Sequence, residues 1–480
     1  MNKSYQSLAL FFFLFGLTLF ALSKIITNDN WFIHQIFCIL NTLIILFFFL
    51  KLYCKNNKLD LILLDARCVV LFVFLVYNII GPSILVFDSD EQINNEQALY
   101  FVSSDLALKV NSINLIGLSI AFFISSNIKL SWATKLITFL TKPNKYLKFS
   151  TPKSIIALTI FFIILQIYAI KTNLNTLNQS SAFSNWFIFV TAGSIFMLIV
   201  HESNKFYLLI FAIFLLCFNI VCGLLLFSKA LIVANIICFS FAYALRKNSI
   251  KIIILFFPLV FFLFSSIGNL SQNAAYINKA YDYENKNIIN ILSFRKDIIL
   301  NKQNYILINN FVNYNTWSRF NFMNTQGAAI DFYDNGNISE LYKKALWFFV
   351  PRIVNKEKPN LSLSDKELFE QITNLSGSHK TAGIFVDGYY NLGWLGVVIS
   401  SIIFGFFILI ASIIIKIIYF QKIYILFFLL FLILLSLSNL DKNFLYYYST
   451  AIYIIFIFIG LYLTKNLLKI YKFFLKKLYK

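Results

Sequence analysis

GYYNLGWLGVVISSIIFGFFILIASIII, residues 388–415, runs from Asp387 to Lys416 without a single charged side chain. A helix needs about 20 consecutive apolar residues to cross the ~30 Å hydrocarbon core of a bilayer, and this stretch exceeds that length. Its bounding charges sit where the chain would leave the lipid. Working outward, similar apolar runs recur along all 480 residues, of which 59% are hydrophobic and 13% charged. An ordinary soluble enzyme does not have this composition. The expected fold class is all-α, a polytopic membrane helical bundle.

Twelve spans are expected near 7–23, 31–50, 68–87, 106–126, 154–170, 182–200, 206–227, 230–245, 252–267, 388–415, 423–438 and 444–464. A net charge of +20 raises the thought of nucleic acid, but topology accounts for it better. With the N-terminus inside, the inner segments collect Lys51, Lys55, Lys58 and Arg67, then Lys129 to Lys153, then Arg246, Lys247 and Lys251. Lys416, Lys422 and a lysine-rich tail follow on the same side. The acidic loop DSDEQINNE, 88–96, falls outside. This is the positive-inside pattern. It places both termini in the cytoplasm and leaves no role for nucleic acid. The first span is read as retained rather than cleaved as a signal peptide, because its loss would disturb the charge parity.

The six cysteines, Cys38, Cys54, Cys68, Cys217, Cys222 and Cys238, all fall in spans or on the inner side, so no disulfide framework is implied. Three parts result: residues 1–267 with nine spans, a large outer loop at 268–387, and residues 388–480 with three spans and a basic tail. No internal repeat is visible. Within the loop, NGNISELYKKALWFFVP has Leu341, Ala345, Phe348 and Phe349 at helical spacing, with Ser339 as N-cap and Pro351 as the stop. SDKELFEQITNLSG carries a capping box at Ser364 and Glu367. FVPRIVNKEKPN, 349–360, connects the two. Pro82 and Pro258 fall inside expected spans, where a proline usually marks a packing kink.

The sequence contains no HExxH, CxxC, GxSxG or P-loop signature, and its outer acidic residues form no evident metal cage. No metal and no cofactor is expected. What remains is basic groups on the outer face beside the membrane, which suit a phosphate or pyrophosphate attached to lipid. Arg352 offers a planar fork of donors for phosphate oxygens; it equally suits capping of the preceding helix. Lys229, in LLLFSKALIV, is expensive at membrane depth unless paired or useful, or it snorkels to the headgroups. His379 suits phosphate donation or proton transfer, or is a solvated loop residue. Arg319 suits a ligand clamp or an anchor of the loop, and Lys356 would widen a phosphate patch or face solvent. Asp387 suits pairing with an arginine, holding a sugar hydroxyl, or general base work. Tyr389, Tyr390 and Trp394 are rim aromatics by position. Gly388, Gly393 and Gly396 permit close helix contact.

FVPRIVNKEKP (349–359) followed by VDGYYNLGWLGVV (386–398) resembles the Wzy-type oligosaccharide repeat-unit polymerases of bacterial surface polysaccharide synthesis. Members often carry a similar Pro-Arg with a following Lys-Pro, then an acidic-x-Tyr-x-Asn-x-Gly-Trp-x-Gly stretch. Here Asp387 stands where Glu is common and Leu392 where Phe is common. FSKA, 227–230, resembles a place where the wider polymerase and ligase group has Arg; Lys229 keeps the charge without the fork. The resemblance implies a GT-C-like membrane glycosyltransferase of the bacterial inner membrane, independent of metal, with its loop on the periplasmic or external face. It would join undecaprenyl-pyrophosphate-linked repeat units, donor and acceptor both lipid-linked, into O-antigen or capsule. A chain-length regulator protein is the further partner it suggests, besides membrane lipids. Arg352, Arg319, Lys229, Lys356 and Tyr389 would hold the pyrophosphate, and Arg352, His379 and Asp387 would serve the chemistry. Three alternatives stand beside it: an O-antigen ligase, transferring glycan to lipid A-core; a polysaccharide flippase, for which one would expect charged spans and short loops throughout; and a structural or scaffolding membrane protein, whose loop binds a partner and whose Arg352 has no chemistry.

Overall fold

The computed structural model describes residues 2–25, 31–56, 59–83, 102–128, 151–175, 182–201, 205–225, 229–256, 322–337 and 382–437, with isolated positions beyond them. These residues are helical, and no strand occurs among them. The apolar runs become α1 (Asn2–Ile25), α2 (Trp31–Asn56), α3 (Leu59–Leu63) and α4 (Ala66–Leu75), the last continued by a π-turn (Val76–Ile80). Then come α5 (Ser104–Asn127), α6 (Pro152–Asn175), α7 (Ala182–Val200), α8 (Phe206–Leu225) and α9 (Lys229–Lys247). α10 (Met323–Asp334), α11 (Ile384–Phe420) and α12 (Phe427–Leu437) complete the order.

Five of these helices, Asn2–Ile25, Trp31–Cys54, Ser104–Asn127, Phe206–Gly223 and Ile384–Phe420, are long and apolar enough to cross a membrane. Their surface chemistry is inverted relative to a water-soluble fold. Leu10, Leu14, Phe47 and Phe214 are exposed, whereas Asn41, Gln166, Asn219, Asn235 and Ser400 are fully buried. Apolar faces turned outward over polar ones turned inward suit hydrocarbon as the solvent. The protein is a helical membrane protein. The expected third span, 68–87, is built differently: α-helix yields to the π-turn at Val76, which Gly81 N closes by donating to Val76 O, ahead of Pro82, which has no N–H to donate. The expected eleventh span, 423–438, contains a 3₁₀ turn (Tyr424–Leu426) and only the short α12.

α5 is the axis of the first helix group. α1 packs along it through Gly16, whose backbone oxygen accepts from Ser112 and where any added Cβ would overlap Ile116. α11 packs on its other side, with Phe385 over Gly117 and Gly405 against Ala121. Small residues at these crossings let the backbones approach closely. The contacts also fix directions. α1 and α4 run one way; α5 and α11 run the other, so Asn2, Asp65, Arg67, Ser126 and Lys416 gather at one end. We call this end basal, and apical the end that holds Phe20, Lys109 and Trp394.

The basal end is pinned by a buried ion group. Asp65 caps α4 and is wholly buried; its Oδ1 accepts from Arg67 N and Nε, and its Oδ2 from Arg67 Nη2 at 2.6 Å and Lys416 Nζ at 3.2 Å. The Arg67 Nη1 reaches Asn2 and Ser126, and its guanidinium lies 4.2 Å from the Tyr5 ring centroid. Asp65 sits in the turn between α3 and α4. Burial alone would raise its pKa, but the Arg67 hydrogen bonds and charge, with Lys416, outweigh that and hold it below the usual carboxylate value.

A second group, α6 to α9, is joined by a chain of amides: Gln166 Nε2 donates to Asn219 Oδ1 at 2.8 Å, and Asn219 Nδ2 to Asn235 Oδ1 at 2.9 Å. Thr191 Oγ1 donates to the same Asn219 oxygen at 3.4 Å. In hydrocarbon such bonds act as glue between helices. α12 packs against α7, where Phe196 meets Phe427.

Candidate functional site at the apical corner

The stretch VDGYYNLGW does not simply start a straight span. Leu392 (φ −143°, ψ 20°) and Gly393 (φ 60°, ψ −143°) break α11 into a short arm, beginning at Ile384, and the long helix from Trp394. Gly393 takes the left-handed conformation that a Cβ would strain. The arm folds back sharply: a Cβ at Gly396 would lie 1.9 Å from the Gly388 oxygen, although eight residues of continuous helix would separate the two by about 12 Å. The expected close contact is, for Gly388 and Gly396, a contact of α11 with itself, whereas Gly393 is approached by Tyr333 of the helix Met323–Asp334. Tyr389 and Tyr390, 5% and 4% exposed, are core residues rather than rim aromatics, because the reversal tucks the arm into the bundle.

α10 completes the corner. Nothing in MNTQGAAIDFYD announces a helix, since its apolar positions lack a clean stripe. It forms because it is wedged between α5 and α11, which bury Met323, Thr325, Gln326, Gly327, Ala328, Ala329 and Ile330. Its end is well defined: Asn337 N donates to Phe332 O and Gly336 N to Tyr333 O, with Gly336 at φ 87°, the Schellman arrangement.

From α10, Asp334 accepts a hydrogen bond from Tyr389 Oη at 2.9 Å and pairs with Lys109 of α5. The Lys109 ammonium lies 5.0 Å from the Tyr389 ring centroid, and Tyr389 meets Tyr333 and Trp394 edge-on. Trp394 in turn meets Phe20. Beneath this lies a cluster of amides: Asn114 Nδ2 donates to Asn78 Oδ1 at 3.2 Å and to Gln326 Oε1 at 3.0 Å. One end of the bundle thus holds a cation, a carboxylate, phenols and amides in a packed frame.

Of the sequence-derived candidates, Asp387 and Tyr389 belong to this corner. Asp387 is buried in the first turn of the arm, where the helix N-terminus favours negative charge, and Asn391 Nδ2 donates to its backbone oxygen at 2.7 Å. Lys229 is the first residue of α9. Arg352, Lys356, Arg319 and His379 lie outside the described residues, as do the two expected loop helices save for isolated positions. Lys109 and Asp334 were not among the candidates. A signal for Lys109 existed: a lysine inside the expected span 106–126 is costly in lipid without a partner. No group of histidine, cysteine and carboxylate side chains suited to a metal occurs among the described residues. No protein-family model, curated protein or solved structure matches the chain.

Proposed function

We propose that this protein is a membrane glycosyltransferase that polymerises undecaprenyl-pyrophosphate-linked oligosaccharide repeat units into surface polysaccharide. The observation that carries the reading is the apical corner. The DGYYNLGW residues, half of the resemblance to repeat-unit polymerases, make a folded-back turn whose residues Asp387 to Asn391 are buried and which Lys109 and Asp334 brace through Tyr389. A rim aromatic segment with no further role needs no such bracing. The positive-inside reading of the connecting segments supports an external face for this corner, where the lipid-linked units would be joined.

In the proposed reaction an acceptor hydroxyl attacks the anomeric carbon of the donor glycan. The new glycosidic C–O bond forms as the bond to pyrophosphate breaks, and undecaprenyl pyrophosphate leaves with the electron pair. Arg352, with Arg319, Lys229 and Lys356, would meet the charge developing on that leaving group. The hydroxyl proton passes to Asp387 or His379. The lipid pyrophosphate bond is itself the energy source, so no ATP is consumed, and the basic side chains would meet the leaving-group charge in the place of a metal.

Arg352→Ala in the native strain, with membrane expression confirmed, tests this on a gel of the surface glycan. Single repeat units without a ladder support polymerisation. Polymer retained on carrier lipid, with lipid A-core bare, would indicate a ligase. A normal ladder removes Arg352 from the site.

A further inference from the structure

We propose that Asn78, Asn111 and Asn114, with Gln326 of α10, form a binding site for the hydroxyl groups of a neutral carbohydrate. The four residues come from three elements, the π-turn, α5 and α10. Asn114 bonds to both Asn78 and Gln326, and all are buried. Asn111 stands three residues before Asn114, hence on the same side of α5. It is 1% exposed, and neither its amide nitrogen nor its amide oxygen has a hydrogen-bond partner among the described residues.

That last point separates this cluster from ordinary interhelical glue. A buried amide with neither atom bonded weakens a fold, and an apolar residue of similar size would serve packing better. Residues held against stability in this way are typical of ligand sites. The backbone agrees: α4 widens into a π-turn at Asn78, a distortion found mostly at functional positions.

The chemistry selects the ligand. Each amide offers a donor and an acceptor, as each sugar hydroxyl does, so the two classes pair reciprocally. No cation belongs to the cluster, which disfavours a phosphate; Lys109 lies nearby but is engaged by Asp334. No carboxylate belongs to it either, which disfavours a divalent cation. The site would therefore grip the glycan and not the pyrophosphate. Identifying that glycan as the repeat unit rests on the polymerase reading.

The test uses the full chain in lipid nanodiscs, with two probes: the host's free repeat-unit oligosaccharide and undecaprenyl pyrophosphate alone. Asn111→Leu should leave thermal stability equal or higher, weaken oligosaccharide binding at least tenfold, and leave undecaprenyl pyrophosphate binding unchanged. Asn78→Ala should weaken oligosaccharide binding likewise. Should Asn111→Leu fail to fold, Asn111→Ala carries the same expectation. Oligosaccharide binding that is absent from the wild type, or unchanged in these variants, overturns the site. Oligosaccharide binding that the variants lose, in a protein that makes no polymer, keeps the site and removes the polymerase reading instead.

Discussion

Asp65→Asn probes the basal pin at the point where its energy concentrates. The carboxylate is wholly buried and receives four hydrogen bonds, three from Arg67 and one from Lys416. Asparagine keeps the volume but turns an N–H₂ group toward Arg67 Nη2 or Lys416 Nζ, donor against donor, and leaves the guanidinium buried without its counter-charge. Removing one partner of a buried pair costs about 3–5 kcal/mol. The Lys416 side chain, 34% exposed, can turn to solvent and adds little. The retained Oδ1 contacts to Arg67 N and Nε offset part of the loss, which places the expected value near 3 kcal/mol. Reversible unfolding in mixed detergent micelles, followed by far-ultraviolet circular dichroism, would measure it. Arg67→Met in the same chain should recover most of the loss, because replacing both charges is close to neutral. A loss below about 1 kcal/mol for Asp65→Asn, or strict additivity in the double variant, would refute the reasoning. The pH dependence has a defined sign. Since Asp65 is held below its ordinary pKa, its contribution is full above the unfolded value and disappears as pH falls through the native one.

Three further outcomes are expected. Gly396→Ala places a Cβ 1.9 Å from the Gly388 oxygen, a backbone atom that cannot rotate away, so stability should fall by about 2 kcal/mol or more; wild-type melting would contradict the folded-back arm. Lys109→Met, which removes a half-buried ion pair at the apical corner, should cost only about 1 kcal/mol in stability yet lower polymer yield several-fold, measured as ladder density at equal expression. Asp387→Asn should reduce turnover by about 10²-fold or more if its carboxylate takes the acceptor proton, while membrane content stays the same; retained activity assigns that role elsewhere.

Among the described residues most helices lie close to where the apolar runs put them, because burial in lipid demands length and apolarity, and both are visible in a single chain; five are long enough to span, and the expected spans 252–267 and 444–464 fall largely outside the described residues. The Asp387–Gly393 arm was not legible. Its glycines advertise close approach, but only the Leu392–Gly393 reversal reveals that Gly388 meets Gly396 of its own helix. α10 was missed for a related reason: Gly327, Ala328 and Ala329 are helical through what surrounds them, not through their own periodicity. The amide cluster was equally hidden, since Asn78, Asn114 and Gln326 are far apart in sequence and meet only through the packing of three elements. Lys109 was the missed opportunity, a charge inside an expected span whose partner Asp334 lay 225 residues on.

Reconstitution decides the central claim. The purified chain in liposomes, given a single undecaprenyl-pyrophosphate-linked repeat unit and a metal chelator, should yield lipid-linked products of two and more units together with free undecaprenyl pyrophosphate, resolved by mass spectrometry. Recovery of unreacted substrate alone, or elongation seen only when lipid A-core is supplied as acceptor, would contradict it.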